Sequence, residues 1–203
     1  MSIRFVTDSC SDIPWDYAKK NKIKVVPLSV LYNDKVFKET PDFDLEKHYN
    51  NYKVNPNFLP KTSQPTPGEY FKVYEELIKE GASSIIVICV SSKLSGTINS
   101  AQTAAKMIKN SHPEINFYFI DSLNASYSEV FLIEEGLDLV KKGVKIDKII
   151  EKLESLKRKI KTYIFIPTLK FLHLNGRISL TKYLLGKLLR KKVIIRVNEE
   201  GAN

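Results

Sequence analysis

Cysteine is scarce in this 203-residue chain: there are two, Cys10 and Cys89, far apart in sequence. No CxxC pair occurs, and the three histidines, His48, His112 and His173, match no metal-ligand or nucleophile spacing. A structural zinc site is therefore not expected, and two lone cysteines suit a reducing compartment. The chain also lacks GxGxxG, GxxxxGK[ST] and GxSxG, so the dinucleotide, P-loop and α/β-hydrolase readings have no motif to stand on. No apolar run approaches the roughly 20 residues of a membrane-spanning helix. "MSIRFVTDSC" has no basic segment leading into a long apolar core, unlike a secretory leader. These absences predict a soluble cytoplasmic protein. Internal repeats and low-complexity tracts are absent as well.

What is present suits one large domain or two small ones: 43% of residues are hydrophobic, and aromatic and β-branched residues are spread throughout. The net charge is +9, with the basic surplus densest between Lys141 and Lys161. Asp147, Glu151 and Glu154 interrupt that stretch, which reads as the solvated face of an amphipathic helix. The competing reading is a patch for an anionic partner. Aromatics are not interleaved with arginines there, so nucleic-acid binding is not expected.

"IRFVT" (3–7) is a short apolar strand, followed by "DSCSDIP" with Pro14 at a tolerated first helical position. "IKVVPLSVLYNDKVFKE" reads as two extended runs around a turn at Asn33-Asp34. "DFDLEKHYNNYK" is helical in character, with Asp42 or Asp44 as N-cap, and "NPNFLPKTSQPTP" is a proline-rich loop. "TPGEYFKVYEELIKEG" is the best-marked helix, with Thr66 as N-cap, Pro67 first, Glu69 completing a capping box and Gly81 closing it. "SSIIVICV" is a continuous apolar run, as a strand buried on both faces requires. Then follow a helix after Ser95, the strand "INFYFI", helices over about 126–142 and 147–161, and the strand "YIFIP". Alternating strands and helices predict an α/β fold, mainly a parallel sheet flanked by helices. After Pro167 the composition shifts: "TLKFLHLNGRISLTKYLLGKLLRKK" is helical around an Asn-Gly break, and "VIIRV" is a last strand. The division expected is an N-terminal α/β domain over 1–161 and the start of a second, smaller α/β domain over 162–203.

In an open parallel sheet, ligands collect at the carboxyl ends of the strands. "TDSCSD", "SSKLSGT" and "DSLNAS" fall there, and "KTSQPTP" can reach over the same edge. A helix start carries unpaired N–H groups and partial positive charge, and Gly96 admits close approach to that backbone. Ser95 can cap the helix or donate its hydroxyl to an anion, and a carboxylate suits such a site as well as a phosphate does. Serine and threonine at helix starts are more often plain caps, and Thr62 and Ser63 can be turn residues before Pro65. Asp8, Asp12 and Asp121 at the sheet edge offer a second reading, a magnesium-dependent phosphotransfer or hydrolytic enzyme. With no convincing catalytic set, a binding protein is favoured over an enzyme, and no cofactor is expected.

Taken in order, "VTDSCSDIP", "KTSQPTP", "SSKLSGTINSAQ", "DSLNAS" and "LNGRIS" resemble the DegV family of bacterial fatty-acid-binding proteins. Each motif is weak, but five in sequence cover essentially the whole chain. The resemblance implies two α/β domains with a long-chain fatty acid in a tunnel between them. It implies that Thr62 and Ser95 hold the carboxylate, and that in lipid-activating members a fatty acid kinase phosphorylates the bound acid. Arg177 would then lie near the carboxylate mouth or on the surface that meets the kinase. The sequence departs from the family pattern at Ile98, Asn175 and Val193. Family members usually continue well past this point, so the second domain is expected to be incomplete, with a carboxylate-side histidine outside the sequence and an apolar patch left exposed.

Overall fold

In the computed structural model, the described residues are 2–32, 35–55, 60–166, 168–188, 193–198 and 201–202. The centre is a parallel four-stranded sheet built from β1 (Ile3–Asp8), β2 (Lys24–Val26), β6 (Ser84–Cys89) and β7 (Asn116–Asp121). Its order is β2-β1-β6-β7. All of β6 is buried, which explains its unbroken apolar run. Alternate residues of the strands serve two cores. Val6, Ile85, Val87 and Cys89 pack with α3 (Pro67–Lys79) and α4 (Thr97–Lys109) on one face. Phe5, Ile86, Ile88 and Ile120 pack with α1 (Trp15–Lys20), α5 (Tyr127–Lys141) and α6 (Ile146–Lys157) on the other. This α/β arrangement, helices on both faces of a parallel sheet, is the one the alternating pattern predicts.

The helix over α3 begins as its sequence dictates. Thr66 accepts from the Glu69 N–H at 3.3 Å, and the Glu69 carboxylate accepts from the Thr66 N–H at 2.8 Å. Gly81 takes φ +84 after the helix. The basic stretch over 141–161 spans α6 and its flanks, where the exposed Lys148 pairs with Glu151 at 2.6 Å and the buried Lys157 with Glu154 at 2.7 Å.

A second sheet, ordered β4-β3-β5, holds β3 (Ser29–Tyr32), β4 (Lys35–Lys38) and β5 (Lys61–Ser63), with α2 (Leu45–Val54) between β4 and β5 in the chain. The extended run at 23–39 therefore divides at Pro27: β2 joins the parallel sheet, while β3 starts the antiparallel one. The turn at Asn33-Asp34 lies outside the described residues. The reading of 61–63 as loop is corrected, because β5 pairs with β3, Thr62 opposite Val30. A third sheet, β10-β9-β8, joins β8 (Thr162–Ile166), β9 (Val193–Asn198) and β10 (Gly201–Ala202), and α7 (Lys170–Leu174) and α8 (Leu180–Leu188) connect β8 to β9. Its pairing is antiparallel, Phe165 opposite Ile194. Ile178 and Ile195 centre its small core, with Ile164, Ile166, Leu169, Leu172 and Tyr183 around them.

Candidate functional site

The three loops at the carboxyl ends of β1, β6 and β7 are laced together by backbone N–H groups and carboxylates. Asp8, fully buried, accepts from the Cys10 N–H and from the Val90 N–H, both at 3.0 Å, and so ties the end of β1 to that of β6. Burial pushes its carboxyl up to about 6, against the pull of those two N–H donors. Asp121 accepts from the Ser92 N–H at 3.2 Å and the Leu123 N–H at 3.0 Å, tying β7 to the β6 loop. The Ser91 N–H donates to the Asn124 carbonyl at 2.8 Å. Asp12 has its carboxylate against the Ser126 hydroxyl. Asp8, Asp12 and Asp121 are the residues of the enzyme reading. Each is committed to holding a loop, and among the described residues no three His, Cys, Asp or Glu side chains form a group able to hold a metal ion.

The β6 loop winds through Ser91–Gly96 with the Leu94 and Ser95 N–H groups donating to the Ser91 carbonyl at 2.9 and 3.1 Å. Ser95 is half-buried, and its hydroxyl lies 2.8 Å from the Thr97 hydroxyl. The expectation that Ser95 caps the helix is corrected. Gly96 occupies the N-cap of α4 and no side chain closes that end. The Ser95 hydroxyl is held beside the helix start by Thr97, with a lone pair or proton still to offer.

β5 reaches this same place. Two residues past Thr62, Gln64 donates from Nε2 to the Ser100 hydroxyl at 2.9 Å in the first turn of α4. Its Oε1 lies so close to Gly96 that a Cβ there would stand 2.2 Å away. Gly96 is thus the surface on which the β5 loop docks, and the docking brings the Thr62 strand to the helix start beside Ser95. Thr62 itself is exposed. Gln64 was missed by the sequence reading, which took "TSQP" for its hydroxyls.

Leu94, in the same loop as Ser95, packs on the Ile178–Ile195 core of the third sheet. Arg177, next to Ile178, is half-buried and donates from Nη1 to the Asn175 carbonyl across the turn in which Gly176 takes φ +76. The β6 loop therefore touches the β5 loop through Gly96 and the Arg177 turn's neighbour through Leu94. Leu94 carried no polar signal and was not singled out from sequence. Among the described residues no helix is long and apolar enough to cross a membrane.

Behind this edge lies Glu129 of α5, fully buried. Thr7 Oγ1 donates to its Oε2 at 3.3 Å, while Oε1 has no hydrogen-bond partner among the described residues. Burial pushes its carboxyl well above the ordinary range, and the nearby Asp8 adds to that.

A family model described as the DegV family matches residues 2–203. A DegV domain-containing protein of Staphylococcus aureus is 40% identical over 189 residues, 93% of this chain and 65% of that protein. Among solved structures, the Thermus thermophilus protein described as "Fatty Acid Binding of a DegV family Protein" superposes with a TM-score of 0.87 at 29% identity, covering 100% of this chain and 70% of that one. Bacillus subtilis DegV, described as a fatty acid binding protein, gives 0.86 at 32% identity, again covering 100% and 70%. The chain thus spans about two thirds of the length of these proteins.

Proposed function

This chain belongs to the DegV family, and from that premise we propose that it binds a long-chain fatty acid without a catalytic step of its own. The carboxylate is held by the hydroxyls of Thr62 and Ser95 at the start of α4, and the tail lies between an N-terminal unit over 1–161 and a second one begun by 162–203. The observation that carries the reading is Gln64 seated on Gly96, because it joins the strand bearing Thr62 to the loop bearing Ser95. Two neutral hydroxyls beside a positive helix end suit a carboxylate, which needs donors and gains from the dipole. Burying the tail contributes roughly 0.8 kcal/mol per CH₂, so the tail sets the affinity and the head sets the orientation. The fatty-acid-binding relatives from Thermus thermophilus and Bacillus subtilis support the ligand class.

The same reading has the bound acid presented to a fatty acid kinase, which brings the ATP and metal, with Arg177 at the mouth or on the docking surface. The decisive experiment is native mass spectrometry of the full chain purified from bacterial cells, followed by titration of delipidated protein with C16 and C18 acids. A retained acyl mass and saturable binding are expected. Absence of both sinks the proposal. For the second part, Arg177→Ala should leave fatty-acid affinity nearly intact while lowering acyl-phosphate formation with a cognate kinase. A large loss of direct affinity would put Arg177 inside the pocket instead.

A further inference from the structure

A cleft of about 730 Å³ opens along the β2 edge of the central sheet, and neither Thr62, Ser95 nor Arg177 lines it. Its walls carry Arg4 of β1, Trp15 and Lys19 of α1, Lys22 from the turn after α1, Lys24 of β2 and Glu80 from the end of α3. Four cations face one carboxylate, and that carboxylate is spent, since Lys24 Nζ sits 3.0 Å from Glu76 and 3.1 Å from Glu80. Arg4, Lys19 and Lys22 remain. Among the described residues none of the three has a side-chain hydrogen bond or ion pair, and Arg4 Nε is buried with no acceptor.

A buried guanidinium N–H without a partner is unfavourable, and native structures usually answer it with a protein group, a water or a ligand. Lys19 has a local reason to stand where it does, because it complements the C-terminal dipole of α1. Arg4 has none: it projects from a strand into the cleft. Lys22 holds φ +56, a conformation in which glycine or asparagine is unstrained and lysine is not. Trp15, half-buried, gives the cleft a flat aromatic wall. A half-buried guanidinium and two exposed ammonium side chains lining one cleft with an aromatic side chain match a phosphate joined to a planar ring. The volume lies within the range of small-molecule clefts.

We propose that this cleft binds a nucleoside phosphate, its phosphates toward Arg4, Lys19 and Lys22 and its base against Trp15. Trp15 is the sole tryptophan of the chain, so its fluorescence reports on this cleft. The full chain is titrated with ADP, with adenosine and with inorganic tripolyphosphate. A saturable fluorescence change with ADP is expected, with adenosine at least about tenfold weaker for lack of the charged contacts. Lys22→Asn and Lys19→Gln should each weaken ADP about tenfold, and asparagine accepts the positive φ, so the fold is kept. The double variant Thr62→Val/Ser95→Ala should leave the ADP titration unchanged. No saturable change up to millimolar ADP would overturn the proposal, as would equal affinity in Lys22→Asn and the parent, or displacement of ADP by a long-chain fatty acid. Equal affinity for tripolyphosphate and ADP would overturn the nucleoside class.

Discussion

At the scale of single residues, the hydroxyls of Thr62 and Ser95 differ in what holds them. Thr62 is exposed on β5, whereas Ser95 is half-buried against Thr97. Thr62→Val and Ser95→Ala should each weaken fatty-acid binding by about 1–3 kcal/mol, the usual loss when a charged group loses a donor. Only Ser95→Ala should also lower stability, because it strips a hydrogen bond from the buried Thr97 hydroxyl. Titration with a fluorescent fatty acid and a urea melt on each variant separate the two effects, and unchanged affinity would reduce that residue to a structural role. Glu129 supplies a second expectation. Its folded carboxyl is raised well above the ordinary range and that of Asp8 to about 6, so the folded state holds protons that the unfolded state has released. Stability should therefore fall as pH rises, beginning near pH 4 where unfolded carboxyls ionise. Asp8 contributes between about 4 and 6, and Glu129 carries the decline higher. Glu129→Gln removes its share, so its melting temperature should exceed the parent's at pH 8 and approach it at pH 4.5. An equal or lower melting temperature at pH 8 would show that the buried carboxyl is not neutral. None of this was legible in sequence, where Glu129 is one helix residue among many. Burial, not residue type, makes it unusual.

Among the elements, those with local determinants could be read directly. The capping box at Thr66 and Glu69 marks α3, and the unbroken apolar run of 85–90 marks β6, because each signal is written within a few adjacent residues. β5 could not be read that way. Lys61, Thr62 and Ser63 are polar and exposed, and they form a strand because β3 offers an edge some 30 residues earlier in the chain. The start of α4 was legible as a ligand-sized feature but not in detail. Gly96 was expected to let a ligand near the backbone, yet the group that occupies its open side is Gln64. Gly96→Ala tests that contact. The added methyl meets the end of a flexible side chain, so the fold should survive with a loss of about 1 kcal/mol, the worth of the Gln64–Ser100 bond. Fatty-acid affinity should fall by more than that, since the Thr62 strand loses its seat on α4. A parallel measurement of the urea midpoint and the binding constant decides the matter. Equal losses would mean that Gln64 steadies the fold without aligning the site.

Over the whole molecule, alternation fixed the parallel α/β core and the change of composition after Pro167 marked the third sheet, but which apolar residues that sheet covers was not visible. The helical stretch after Pro167 carries Phe171, Leu172, Leu184, Leu185, Leu188 and Leu189, apolar residues that need a sheet to pack on. Leu172 packs on the third sheet's core, whereas Leu184 and Leu185 face solvent; Leu189 and the side chain of Leu188 lie outside the described residues. The sheet itself has two unlike faces, since successive strand residues point opposite ways. Ile164, Ile166 and Ile195 turn toward α7 and α8, and Tyr163, Phe165 and Ile194 turn outward, 62%, 58% and 65% exposed. Phe165 and Ile194 are cross-strand partners, so the outward apolar surface is continuous. A contiguous patch of this kind binds hydrophobic dyes and promotes self-association. The full chain should therefore enhance the fluorescence of an anilinonaphthalene dye in its native state and show concentration-dependent mass by light scattering. Phe165→Lys/Ile194→Glu places opposite charges across the same pair and removes the apolar surface without touching the inner face. That variant should lose most of the dye signal and the association while melting within a few degrees of the parent. A parent that binds no dye and stays monomeric at high concentration would show that the outward face of β8 and β9 is covered in solution.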